Sequence, residues 1–185
     1  MPRCELESWL GLMRAVELLR LPPAFGRAHA HFTLSENRAV ATRNAGQGGF
    51  RIAASKVTMQ SGRHFVRFAF VEGGVSTVLG VIRPGTDVEG GNEFHGDGHC
   101  FYSMASGRAS VGSQPWEGMQ SAHEQGDRIG MLLDLDQGSM TVWKNDVKLG
   151  VMKAQGLSGP LCWAVCMFCP GSIMRIDSAP LTADA

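Results

Sequence analysis

Residues 128–144 hold two apolar runs on either side of a short polar turn, and this pairing constrains the fold more than any other feature. In Arg128–Leu135 the odd positions Ile129, Met131, Leu133 and Leu135 are apolar, while Arg128, Gly130 and Asp134 fall on even ones. A period of two marks a strand with one face in a core. Leu132 breaks the alternation, so cover is expected on both faces. Asp136–Gln137–Gly138–Ser139 follows as a hairpin turn, its Gly placed for positive φ, and Met140–Lys144 runs back. A second turn, Asn145–Asp146, leads into Val147–Val151. Further apolar runs lie at Ala39–Arg43, His64–Val71, Thr77–Ile82 and Leu161–Phe168, divided by Gly-, Asn- and Asp-containing breaks. The pattern predicts an all-β domain.

The N-terminus departs from this period. Leu6, Trp9, Leu10, Met13 and Val16 share one helical face, Leu12 and Leu19 widen it, and Glu5, Arg14 and Glu17 keep other positions polar. Pro22–Pro23 stops the helix. The expected organisation is a short amphipathic helix over 1–25, a β domain over 26–178 and a flexible tail over 179–185. The helix packs on the domain, docks a partner, or is the end of an upstream module; the sequence leaves these open. Arg83–His99 and Ser106–Gly126 read as long surface loops, a type that is usually functional or mobile.

Charge and cysteine content narrow the function. The chain carries 17 Lys+Arg against 17 Asp+Glu, which removes the general electrostatic reason to bind nucleic acid or an acidic membrane. Its length of 185 residues suits one domain, and 44% hydrophobic residues suffice for a core. No apolar run approaches the ~20 residues of a membrane span, and Met1–Pro2–Arg3–Cys4–Glu5 does not begin a signal peptide. Five cysteines, an odd number, then suggest reduced thiols in the cytoplasm or nucleus.

Each chemical constellation has a plainer competitor. Cys162, Cys166 and Cys169 have the spacing of a radical-enzyme iron–sulfur site, but that chemistry needs a large barrel and this trio lies close to the end of the sequence. In a strand Cys162 and Cys166 share a face and Cys169 points to the other, so buried thiols are the better account. His95, His99 and Cys100, or His29 and His31, lack the second ligand pair of a zinc site. A calcium loop from Asp134 would need Gly and Glu where Ser139 and Asn145 stand. No nucleophile elbow, phosphate-binding loop or dinucleotide fingerprint is present. The sequence therefore reads as non-enzymatic, with no metal and no cofactor.

The run from Gly126 to Asp146, with Gly126–Asp127–Arg128–Ile129–Gly130, its acid-ended strand, Gly turn and following strand, resembles the core of the SPRY (B30.2-like) domain. Gly62–Arg63–His64–Phe65, Leu79–Gly80–Val81, Leu149–Gly150–Val151 and Gly159–Pro160–Leu161 resemble other SPRY motifs in the same order, so the resemblance spans about Phe32 to Ile176. It implies a two-layer antiparallel β-sandwich of the concanavalin-like kind with helical turns at the N-terminus. It further implies a non-catalytic protein-interaction module whose loops at one end hold a peptide or folded partner. SPRY domains commonly select targets for ubiquitin ligases or assemble signalling and chromatin complexes, so a substrate-recruiting adaptor is one expectation; no SOCS box, RING or F-box is visible.

Carried over from SPRY proteins that bind peptides, the contact residues are Arg43, Asn44 and Gln47, then Arg83 and Pro84, then Phe168, Cys169 and Pro170, with Tyr102 bordering them. A guanidinium suits a carboxylate or peptide carbonyls, and an exposed aromatic ring serves as an anchor. A solvated Arg43 and a core Phe168 are equally compatible with the residues themselves. This sequence departs from the pattern in three places. Asp146 follows Asn145 where Gly is usual, Cys162–Trp163 replaces an aromatic–Pro pair, and Phe168–Cys169 stands where several peptide binders have aromatic–Gly. The last change puts the known peptide specificity in question. A carbohydrate-binding reading, on a lectin-like sandwich with Trp116 as the exposed aromatic, is the alternative. The oligomeric state is not specified.

Overall fold

Thirteen strands and no helix make up the described residues, which are 23–46, 48–74, 76–90, 98–110 and 115–178 of a computed structural model. The proposed helix up to residue 22, the tail 179–185, Gln47 and His95 lie outside them. In chain order the strands are β1 (Phe25–Ala28), β2 (Phe32–Ser35), β3 (Val40–Arg43), β4 (Arg51–Ser55), β5 (Arg63–Glu72) and β6 (Thr77–Ile82). They continue as β7 (Cys100–Ser103), β8 (Ala109–Ser110), β9 (Arg128–Asp134), β10 (Ser139–Lys144), β11 (Val147–Lys153), β12 (Cys162–Met167) and β13 (Ile173–Asp177). Phe25, placed in the helical segment by the sequence reading, opens a strand and pairs with Ser55, its fully buried ring entering the core.

Two antiparallel sheets face each other. The six-stranded sheet has the order β1-β4-β12-β6-β7-β8, and the seven-stranded sheet β11-β10-β9-β5-β13-β3-β2. Alternation decides what fills the space between. Ile129, Met131 and Leu133 of β9, Val66, Phe68 and Phe70 of β5, and Trp163, Val165 and Met167 of β12 point inward into one core. Phe68 and Trp163 meet edge to face across the sheets with centroids 6.4 Å apart. The expected hairpin forms with Asp134 opposite Ser139 and Gly138 at φ 71°. Both of its acids are used structurally: Asp134 accepts from the backbone N–H of Asp136 and Gln137, and Asp136 from that of Gly62.

A second, smaller apolar cluster lies on the outside of the six-stranded sheet. Ile52, Ala54, Val78, Ile82, Phe101, Ala164 and Cys166 form it, and Phe50 and Val88 close over it. Val88 belongs to the 83–90 segment, which crosses this face as a strap. Arg27 donates to the Thr86 carbonyl at 2.9 Å, and Glu89 accepts from the Ala30 N–H at 3.0 Å. The strap explains why β6 and β12 are buried at every position. Cys162 and Cys166 share this outer face, as their spacing implies. Leu132 likewise loses its solvent on the outer face of the other sheet, in a neighbourhood where Phe65 packs edge to face on Trp143 at 5.8 Å.

Candidate functional site

The strand registers sort the loops into two ends. Met167 pairs with both Arg51 and Thr77, so the start of β4, the start of β6 and the end of β12 meet at one end, hereafter the mouth. Cys162 pairs with Ile82, which places Arg83 and Pro84 at the opposite end. There Arg83 Nη1 donates to the Ser158 carbonyl at 2.7 Å. The eight expected contact residues that are described are thus not brought together. The loop after β6 starts from the far end of the sandwich, and only its later part, around Glu89, reaches the mouth.

At the mouth, Phe168 is 42% exposed and packs edge to face on Phe50 at 5.3 Å. Met167 is the last buried residue of β12, so the ring leaves the core with the strand. Cys169 is half-buried beside Gly74, Pro170 is exposed, and Asn44 is half-buried with its side chain bonded to Thr33 at 3.1 Å. Ser172 ties the neighbouring loop down by accepting from the Gly74 N–H at 3.1 Å.

Arg43 and Tyr102 are not surface residues. Arg43 is fully buried, because its register with Ala41 turns it to the inner face of β3. Its Nη1 donates to the Asn44 carbonyl at 2.9 Å, and its backbone binds Ser172 and Gly171. Tyr102 is also fully buried, its hydroxyl donating to the Gln120 carbonyl. Burial, and then Asp127, push the Tyr102 pKa upward. Arg43 therefore holds the mouth loops from beneath, while Tyr102 anchors the segment around Gln120.

The sequence reading missed a second guanidinium. Arg51 opens β4 on the same face as Ala53, which faces the core, so its side chain stands across the gap from Arg43. Burial first, and then this neighbour, lower the Arg43 pKa. His29 and His31 complete the group, their rings 4.7 Å apart, and the His31 N–H donates to His29 Nδ1 at 2.9 Å. Burial lowers the His29 pKa, opposed by Glu89, whose carboxylate is 3.7 Å from Nε2; Arg51, His31 and Arg43 lower it further. The alternation of His29 and His31 was visible in the sequence, but only the fold sets them beside two arginines. Among the described residues no group of three His, Cys, Asp or Glu is arranged to hold a metal ion.

Trp116, the residue on which carbohydrate binding rested, is turned inward. Its Nε1 donates to the Gly107 carbonyl at 2.7 Å, and its ring packs on the core. A half-buried ring engaged in this way offers no sugar platform.

Solved structures supply the comparison. The fold is that of the SPRY domains. The SPRY domain of human HERC1 superposes with a TM-score of 0.67 at 20% identity, over 80% of this chain and 94% of that one. A human SPRY domain matches at 0.67 and 18% identity, over 82% and 98%. The TRIM65 PSpry domain matches at 0.67 and 18%, over 92% and 99%. No protein-family model and no curated protein matches the sequence.

Proposed function

We propose that this chain is a non-catalytic protein-interaction module that holds a peptide segment, or an extended segment of a folded partner, at the mouth. The observation that carries this is Phe168, a large ring left exposed on a rigid strand end and backed by Phe50. Aromatic anchors of this kind concentrate binding energy in peptide interfaces. The SPRY fold supports the reading, since its members generally act by binding proteins. Recruitment of a substrate for ubiquitin ligation is one use such a module would serve. The free thiols of Cys100, Cys162, Cys166 and Cys169 favour a reducing compartment, cytoplasmic or nuclear.

The test is selection of peptides from a randomised display library on the full chain, followed by affinity measurement on Phe168→Asp. Selected peptides are expected to lose most of their affinity while the melting temperature of the variant stays near wild type. Unchanged binding by all selected peptides to a folded Phe168→Asp would exclude the mouth. Arg43 is unsuitable for this experiment, because a substitution there buries a mismatched group.

A further inference from the structure

The mouth carries more positive charge than its own carboxylates answer. Arg43 and Arg51 lie close enough to repel each other, both act on His29, which stacks beside His31, and among the described residues Glu89 is the only carboxylate that acts on His29. Glu89 is itself exposed and engaged elsewhere, accepting from the Ala30 N–H at 3.0 Å. Arg51 Nε and His31 Nδ1 are shielded from solvent and have no hydrogen-bond partner. Buried polar groups are nearly always paired, so two unpaired nitrogens beside a pair of guanidiniums point to a missing polar partner, and the fixed charge of the arginines favours an anionic one.

Two glycines cover this cluster. They stand between β3 and β4 and lie directly on the two nitrogens' side chains: a Cβ on Gly46 would fall 2.8 Å from the His31 ring, and one on Gly49 3.0 Å from the Arg51 guanidinium. Both glycines are at positive φ, 156° and 126°. The chain is glycine where it touches His31 and Arg51, and it leads to Phe50, which packs on the exposed Phe168. An extended ligand anchored on Phe168 would pass this loop, and a short shift of it would bring Arg51 and His31 into reach. Both are half-buried, whereas Arg43 lies behind them.

From this placement we propose that the mouth reads an acidic side chain: an Asp or Glu of the bound peptide accepts from Arg51 and His31, with Arg43 adding its charge from beneath, beside an apolar residue on Phe168. The inference rests on the peptide-binding reading and adds the chemistry of the segment that is bound. A carboxylate fits because two guanidiniums supply fixed charge and directed donors.

The experiment uses the same library selection on the full chain. Selected peptides are expected to carry Asp or Glu at one fixed position near an aromatic or aliphatic residue. Replacing that acid by its amide should weaken binding to wild type by about tenfold or more, and should change binding to Arg51→Gln little. His31→Asn should reduce the same coupling, and because the peptide-side substitution needs no protein variant, the result survives a poorly folding mutant. Phe168-dependent peptides with no acid enrichment, or with an acid whose amide binds equally well, would overturn the acid-reading inference and leave the mouth intact. A library yielding no binder would overturn both.

Discussion

At the start of β9 and at the end of β3 the sandwich takes charged side chains out of water, and the two surroundings differ. Asp127, 5% exposed, accepts from the Asn145 amide at 2.8 Å and the Glu124 N–H at 3.0 Å, with Lys144 Nζ at 3.4 Å. Lys144 donates in turn to the Ser121 carbonyl at 2.9 Å, and Asn145 Oδ1 accepts from the Arg128 N–H at 2.8 Å. One negative charge meets one positive charge, and the turn it holds links β10 to β11. The mouth instead gathers four basic side chains, two of them with an unpaired nitrogen. A closed network of buried polar groups specifies structure, whereas the mouth leaves Arg51 Nε and His31 Nδ1 unanswered.

Removing the acid from the closed network tests that side of the contrast most severely. Asp127→Ala leaves Lys144 and the Asn145 amide facing an empty place, and urea denaturation is expected to register a loss of about 3 kcal/mol or more. Arg51→Gln should act quite differently. It relieves the crowding with Arg43, so stability should stay within about 1 kcal/mol of wild type, and a loss as large as that of Asp127→Ala would show the mouth to be structural.

Acid titration separates the two regions without any mutation. Burial, the strongest influence, holds His29 below its ordinary 6.5, so the folded chain binds that proton less readily than the unfolded one. The His29 contribution is therefore whole above about pH 6.5 and is lost as the pH falls through the window beneath it. For Asp127, burial alone would raise the pKa, but Asn145, the Glu124 N–H and Lys144 outweigh it and hold the group below 3.8. Its contribution is whole above that value and is lost only in stronger acid. Chemical denaturation between pH 7 and pH 5 should thus show a decline that His29→Gln abolishes and that leaves the Asp127 node untouched. The smallest expected effect is that of Glu89→Gln. Its exposed carboxylate makes a solvent-screened contact that raises the His29 pKa, so stability near neutral pH should change by less than about 1 kcal/mol while the pH-dependent decline, still starting at about pH 6.5, deepens and extends to lower pH.

What could be read from the sequence follows the same physics. The β9–β10 hairpin was legible because one face of each strand meets the core and the other meets something more polar, so period two survives in the residues. β6 and β12 were found as continuous apolar runs. β4 was not, since Arg51–Ile52–Ala53–Ala54–Ser55 is buried on both faces by small residues and carries no alternation. β1, β2, β7 and β13 are four or five residues each, too short for a period to emerge beside their Gly, Pro and polar neighbours. At the mouth, Phe168, Cys169 and Pro170 came from the resemblance to SPRY motifs. Arg51 could not, because its inward register exists only once β4 is placed. Arg83 and Pro84 were misplaced for a related reason: the loop they begin starts at the opposite end and doubles back over the sheet.

The position of β12 in the six-stranded sheet also governs when the fold can be completed. It lies between β4 and β6, and the Trp163 N–H reaches back 108 residues to the Ser55 hydroxyl. During synthesis the ribosome releases β4 and β6 long before the strand that separates them. Until residue 167 has emerged, two hydrophobic strands have unsatisfied edges and no correct neighbour between them. Contacts of such long sequence separation make folding slow, and the waiting edges are where self-association begins.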